Sequence, residues 1–417
     1  VRASYGSLGN GNIDPYSFQE LFKIKQSSLV LNGIRPQYTG QPAVIPLGLT
    51  WEKSTTLNLG LDFAFLSNRL QFSGDIYQRK TTDMFTVGMS LPAVFGTDVP
   101  KGNYADLTTK GFELSVSWRD QFQLASKPFN YEVRFTLADY QSTIDKYNNP
   151  EKKLGDDYYY EGMKVGEIWG YETEGFFTSQ ADIDSHAKQP YFYAGATAGQ
   201  WLPGDIKFKD LNGDGVIDYG NNTVDNPGDQ KIIGNSEPRF IYGINLSGDW
   251  NNFFVSAFFQ GVGKQDWWPG SEASYFWGMY NRPYNDMPKS HLGNIWTEEN
   301  PNTYFPRLRG YSSEEPYAEL NLKQTRYLQN IAYIRMKNIQ LGYTLPKSFI
   351  SKLRMQNAKV YVSGENLWSW SPFYKYSKDL DVEAVRGSDR DLTEGTSGNG
   401  YSYPILKSVS FGLSVTF

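Results

Sequence analysis

The sequence predicts an all-β protein: an antiparallel transmembrane β-barrel with long extracellular loops, of which these 417 residues supply about the C-terminal ten strands. Three observations predict it. Apolar and polar residues alternate along segment after segment. Aromatic residues make up 16% of a chain that is polar on average. Short turns and long connections follow one another from end to end. Period-two alternation marks strands with one apolar and one wet face. No apolar run reaches the length a membrane-crossing helix needs.

The strands read as follows. In 57–65, Leu57, Leu59, Leu61, Phe63 and Phe65 share one face, against Asn58, Gly60, Asp62 and Ala64. In 112–119, Phe112, Leu114, Val116 and Trp118 oppose Glu113, Ser115, Ser117 and Arg119. In 131–138, Tyr131, Val133, Phe135 and Leu137 oppose Glu132, Arg134, Thr136 and Ala138. The chain closes with Val409, Phe411, Leu413, Val415 and Phe417 against Ser410, Gly412, Ser414 and Thr416. Weaker versions occur near 70–80, 239–250, 251–262, 333–343 and 358–366. The phase flips around Asn338, which predicts a bulge.

A soluble β-sandwich also alternates, so loop lengths decide. Short turns are expected near 66–69, 120–129, 248–252 and 345–357. Long connections are expected near 7–54, 80–110, 139–238, 263–332 and 367–407. A membrane barrel has this asymmetry because its periplasmic turns are short and its extracellular loops long. The count places the C-terminus on the periplasmic side. Strands in lipid cannot leave an open edge, and loops this long suit the plugged class of about 22 strands. Val1 opens directly into strand-like sequence, so the chain reads as beginning mid-protein. Asp62, Asp75, Glu113, Glu132, Arg134 and Lys359 fall on the wet face and should line the lumen. Trp51, Trp118 and Trp250 lie near strand ends, where interfacial girdles sit.

Composition excludes other classes. The net charge of −5 leaves no electrostatic footprint for nucleic acid. With no Cys there are no disulfides or thiolate metal sites. His186 and His291 have no nucleophile motif beside them, and no carboxylate spacing singles out a glycosidase pair. No catalytic residue is expected.

Several blocks resemble signatures of the SusC/RagA family of TonB-dependent outer-membrane transporters. They are VRASYGSLGN at 1–10, WEKSTTLNLGLDFAFLSNRLQFSGDIYQRKTTDMF at 51–85, NYADLTTKGFELSVSW at 103–118 and GEIWGYETEGFF at 166–177, with YIRMKNIQLGYTLP at 333–346, VYVSGENLW at 360–368 and YPILKSVSFGLSVTF at 403–417. They run in the family's order and cover this chain, but only the C-terminal part of a family member. The resemblance implies import of oligosaccharides, or of peptides, across the outer membrane of a Gram-negative bacterium. It implies a SusD-like surface lipoprotein as lid and energy from TonB–ExbB–ExbD. The plug and TonB box it implies lie outside this sequence. Phe417 resembles the terminal aromatic read by the outer-membrane assembly machinery, although the strand pattern alone also explains it. The competing classes are a β-rich carbohydrate-binding protein without transport and a glycoside hydrolase.

Two loop features carry candidate sites. DLNGDGVID at 210–218 begins like an EF-hand loop: Asp210, Asn212 and Asp214 at alternate positions, Gly215 for the turn, the Val216 carbonyl, then Asp218. Asn221 stands where the closing acid is expected, and Asp229 is the substitute. These residues make a structural Ca²⁺ site or, equally, a metal-free chain of Asx turns. In 263–332, Trp267, Trp268, Tyr275, Phe276, Trp277 and Tyr280 could stack on sugars, meet a partner or form the loop's own core. Trp368 and Trp370 are expected near the outer interface.

Overall fold

The computed structural model describes the chain except residues 12–18, 41, 43, 46–47, 89–93, 95–98, 156–157, 191–200, 272, 283, 285, 314–317, 386–399 and 401–402. Ten strands form one antiparallel sheet in which each strand pairs with its neighbour along the chain. They are β1 Arg2–Asn10, β2 Glu52–Phe65, β3 Leu70–Val87, β4 Lys101–Leu124, β5 Lys127–Lys146, β6 Arg239–Trp250, β7 Phe253–Lys264, β8 Tyr333–Thr344, β9 Asn357–Trp370 and β10 Ser408–Thr416. The sheet is an open segment of barrel wall, edged by β1 and β10. Among the described residues no helix is long and apolar enough to cross a membrane.

Register, more than any single strand, shows that the alternation is real. One row of directly paired residues runs Phe129, Trp250, Phe253, Tyr343, Val360, Leu413. The next on that face runs Tyr131, Gly248, Val255, Leu341, Val362, Phe411. The row immediately beyond the second belongs to the opposite face, where Arg119, Glu132, Ser247, Ser256, Gln340, Ser363 and Ser410 pair in turn. A one-residue slip anywhere would exchange these faces, so the pattern fixes the pairing. Leu57, Leu59, Leu61, Ile76, Leu341 and Phe411 are exposed on the apolar face. In water such a continuous patch would be an aggregation hazard; in lipid it is the required outer surface.

Aromatic rings collect at the short-turn end of the apolar face. Phe63 stacks on Phe72 with centroids 4.5 Å apart, Phe122 lies 5.1 Å from Phe129, and Phe253 lies 4.7 Å from Tyr343. The Trp118 indole donates to the Tyr131 hydroxyl, and that of Trp250 to the Leu124 carbonyl. Amphipathic rings at this level suit a membrane–water interface. Trp368 and Trp370 lie toward the long-loop end of β9, both exposed and paired with Met336 and Ile334 of the same face. Trp51, also exposed, immediately precedes β2.

The expected turns hold, but the strands are longer than the alternation indicates. β3, β4 and β5 have 18, 24 and 20 residues, where crossing lipid takes about 9–11. Toward the long-loop end both faces turn polar, so the period-two signal fades while pairing continues. The expected turn at 120–129 contracts to Ala125–Ser126, both at positive φ. Asn251–Asn252 joins β6 to β7 in the same way. This is the hairpin geometry that favours Asn and Gly; Ala-Ser carries no such signature, which is why it was not legible. The bulge falls beside Asn338: Phe258 pairs with Asn338 but Phe259 with Met336, leaving Lys337 as the extra residue. The 345–357 turn holds two short helical pieces, Lys347–Ile350 and Ser351–Leu353.

Candidate functional site: the inner wall and the loop cap

Cross-strand register places Asp62, Asp75, Glu113, Glu132, Arg134 and Lys359 on one face, as expected for a lumen lining. Arg2 bridges Asp62 at 2.6 Å and Asp75 at 2.8 Å, and Ser73 and Asn58 complete the cluster. Glu132 sits between Arg119 at 2.8 Å and Arg134 at 3.1 Å. Such exposed, solvent-screened pairs stabilise little. Their importance is positional: charge on this face tolerates a wet lumen and not lipid.

The long connections after β5, β7 and β9, at one end of the sheet, fold into a cap with its own core. Tyr171, Ile206, Phe208, Ile217, Trp267, Phe276, Trp277, Tyr280, Phe305, Leu320, Tyr327 and Phe373 pack in one cluster, which also takes in Val262 and Tyr333 from the wall. This places the loop aromatics. Trp267 and Trp277 are buried, and the Trp277 indole donates to the Pro269 and Gly270 carbonyls. Phe276 and Tyr280 are buried with them, while Trp268 is half-buried against Trp277. Of the six rings only Tyr275 is substantially exposed. The expectation of ligand- or partner-facing rings therefore fails for Trp267 and Trp277, because a cap of irregular loops needs large apolar side chains for its core.

Buried charge ties the cap together. Asp205 accepts from Arg307 at 2.5 Å and lies 3.1 Å from Arg309. Glu319, fully buried beside them, accepts from the Ile206 amide at 2.8 Å. Burial, reinforced by the neighbouring Asp205 charge, pushes the Glu319 carboxyl up to about 8. The His291 imidazole packs on Phe305 and is held below its ordinary range by burial; His186 lies edge-on to Phe177. Cap and wall are also pinned by ion pairs of Arg335 with Asp381 and of Lys337 with Glu383. Lys337 follows Arg335 by one strand period and so shares its inner face.

The 210–218 loop is closed by its own main chain. Asp210 accepts from the Gly213 and Gly215 amides at 2.6 and 2.9 Å. Asn212 accepts from Asp214, Asp214 from Val216, and Asp218 from Gly220. Asp229, fully buried, accepts from Leu211 at 2.7 Å and from Asp218 at 2.8 Å, so it clamps both ends of the loop. Burial raises its carboxyl above the ordinary range despite these donors. Among the described residues no group of three or more acidic or histidine side chains converges on a cation-sized centre. The donor types suit Ca²⁺, and the same side chains cap the loop's own amides as a chain of Asx turns.

One concavity was not singled out in the sequence. Residues Glu167–Tyr171 pair with Gln230–Asn235, and this two-stranded ribbon forms one side of a cleft of about 540 Å³ together with residues 154–155, Tyr158, Tyr160, Met163, Tyr219, Asn222 and 321–323. The only available signal was local: Tyr158, Tyr160, Trp169 and Tyr219 lie in segments rich in amides and carboxylates.

Comparison with known proteins follows this geometry. Residues 1–213 match the family model for the TonB-dependent receptor-like β-barrel. This chain belongs to that family. Across its full length it is 28% identical to TonB-dependent receptor P3 of Formosa agariphila, and it spans 39% of that protein. It is 23% identical to TonB-dependent receptor SusC of Bacteroides thetaiotaomicron, spanning 37% of it. The chain thus spans about 40% of the length of the curated relatives it matches. The solved structure of the RagAB peptide transporter aligns with all of this chain and 40% of its own, with a TM-score of 0.70 at 19% identity, which shows a shared fold. TonB-dependent receptors of this kind are outer-membrane β-barrels, so the sheet is a segment of such a wall.

Proposed function

We propose that this chain forms part of the wall and outer cap of an energy-coupled importer that carries oligosaccharides across the outer membrane. The observation that carries the reading is the two-faced sheet: an apolar outer surface, a charged inner surface, and a packed cap at one end built from the connections after β5, β7 and β9. A wall of that kind encloses a polar path through lipid. The cap end then faces the exterior, and the short turns and the C-terminus face the periplasm. Membrane lipid covers the apolar face. A SusD-like surface lipoprotein would close over the cap, and TonB–ExbB–ExbD would act through parts of the protein outside this chain. Oligosaccharide as cargo is supported by the aromatic and amide chemistry of the cap. Peptide is the cargo named for RagAB and is the second reading.

Uptake separates them. A strain lacking the gene is compared with wild type for accumulation of labelled oligosaccharides and labelled peptides. Loss of oligosaccharide uptake alone supports the proposal. Normal uptake of every glycan, with loss of peptide uptake, moves the cargo to peptide. Loss of neither removes the import reading.

A further inference from the structure

The cleft beside the ribbon of Glu167–Tyr171 and Gln230–Asn235 is built as a binding site. Its floor is rigid: Ile144, Leu154, Tyr160 and Met163 are buried together where the cap meets the end of β5. The polar groups above that floor are held in place before any ligand arrives. The Tyr160 hydroxyl donates to Glu167 at 2.6 Å and accepts from the Trp169 indole at 3.3 Å, while the other Glu167 oxygen accepts from the Lys164 amide. On the facing side the Asn222 amide donates to the Leu154 carbonyl, and Gln230 donates to Asn222. The third side is fixed by main-chain bonds from Tyr171 to the Lys323 carbonyl and from Thr325 to the Tyr171 carbonyl. Gly170 permits that approach, since a Cβ there would lie 2.3 Å from the Lys323 carbonyl oxygen.

At the mouth, Tyr158 and Tyr219 expose aromatic faces, with Trp169 half-buried between wall and floor. The volume lies inside the range of about 300–1,000 Å³ found for small-molecule sites. The lining offers flat rings beside amides that both donate and accept, with a single carboxylate already engaged. A pyranose ring presents the matching chemistry: an apolar C–H face and a rim of hydroxyls that donate and accept. A peptide would call instead for apolar pockets or an exposed strand edge, and at Tyr171 the edge facing the cleft is already bonded to the main chain of Lys323 and Thr325. We propose that this cleft is a subsite for a short stretch of neutral glycan, with Tyr158 and Tyr219 as the stacking faces and Asn222 and Gln230 as the hydroxyl partners. The proposal rests on the oligosaccharide reading and gives it a location.

The test uses the intact transporter purified from the outer membrane in detergent. The probe is a mixture of neutral α- and β-linked glucan and fructan oligosaccharides, followed by calorimetry and by tryptophan fluorescence. Tyr158→Ala and Tyr219→Ala remove exposed rings that the core does not need, so these variants should assemble normally. Each is expected to weaken glycan binding by about tenfold, and Trp169→Phe should abolish the ligand-induced fluorescence change. If wild type binds glycan and both alanine variants bind within about twofold of it, the subsite is overturned while the import reading stands. If wild type binds none of the probes, the subsite is overturned whatever the deletion strain shows. Binding of neutral peptides in place of glycans, lost in the same two variants, would overturn the sugar assignment and keep the cleft as a site.

Discussion

Trp277 offers the sharpest test of whether the loop aromatics hold the cap together or serve a ligand. Its side chain has no exposed surface, touches Phe276, Trp268 and Tyr327 edge-on, and satisfies the Pro269 and Gly270 carbonyls. A buried indole removes about 150–250 Å² from water, worth about 4–6 kcal/mol at the usual coefficient. That figure is an upper bound, because an unfolded loop already hides part of the surface. Large-to-small substitutions of buried aromatics cost about 3–5 kcal/mol, so about 4 kcal/mol is expected for Trp277→Ala. Local unfolding of the cap need not break the strand ladders, so the loss should appear as local opening. Hydrogen exchange in 268–280 and 320–331 is expected to rise by about a thousandfold, while the β6–β7 amides stay protected. Tyr275→Ala, two residues away but exposed, should leave exchange near wild type. If Trp277→Ala left the cap amides within about tenfold of wild type, the ring would not be a core residue and the ligand-facing reading would return.

Three further predictions address charge, metal and assembly. Glu319 is a buried acid whose carboxyl rises from an ordinary 4.5 to about 8. Between those values the folded cap keeps a proton that the unfolded cap releases, so cap stability should fall as pH rises through that window and level off above it, by at most about 1.4 kcal/mol per pH unit; Glu319→Gln should make the slope of protease resistance against pH shallower, and an unaltered slope would contradict the assignment. For the 210–218 loop, Asp210→Ala with Asp214→Ala should speed exchange of the Gly213, Gly215 and Val216 amides because their acceptors are removed; the proposed Ca²⁺ predicts in addition that a chelator loosens wild-type 205–234, whereas chelator-independent protection leaves the Asx turns as the whole of the loop's order. Phe417 is exposed beyond the end of β10, so Phe417→Ala should hardly alter the melting of assembled barrel. Its proposed part in assembly predicts fewer barrels in the outer membrane, and wild-type abundance would argue against that part.

What was legible in the sequence, and what was not, follows from the range of the physics involved. Alternation is local and survives any context, so the strands, the two faces and the inward set from Asp62 to Lys359 could be read directly. The bulge was legible for the same reason, because one extra residue reverses the phase between Met336 and Ile339. Strand ends were not, since the pairing of Thr108 with Thr143 or Phe85 with Asn103 lies where both faces are wet. The cap was opaque for a different reason. Its order comes from contacts distant in sequence, such as Glu319 with the Ile206 amide and Arg307 with Asp205. A run such as DWWPG looks identical whether its rings point into a core or toward a sugar. The cleft was missed because its three sides come from segments up to about 170 residues apart, joined only by the fold.

The way cap and wall are joined constrains how such a transporter could open. Val262 and Tyr333 belong both to the strands and to the cap's core, and Arg335 and Lys337 reach from the wall to Asp381 and Glu383. Arg335 is almost fully buried in that contact, and leaving a buried charge without its partner costs about 3–5 kcal/mol. Pulling the cap from the wall would also expose the aromatic cluster to water. Two bodies joined by a shared core and paired buried charge move as one. In an importer built on this wall, the cap is therefore a fixed rim that presents its cleft at a constant place. We propose that the movement that admits cargo comes from elements outside this body, with the closing lipoprotein above it and the plug below it as the moving parts.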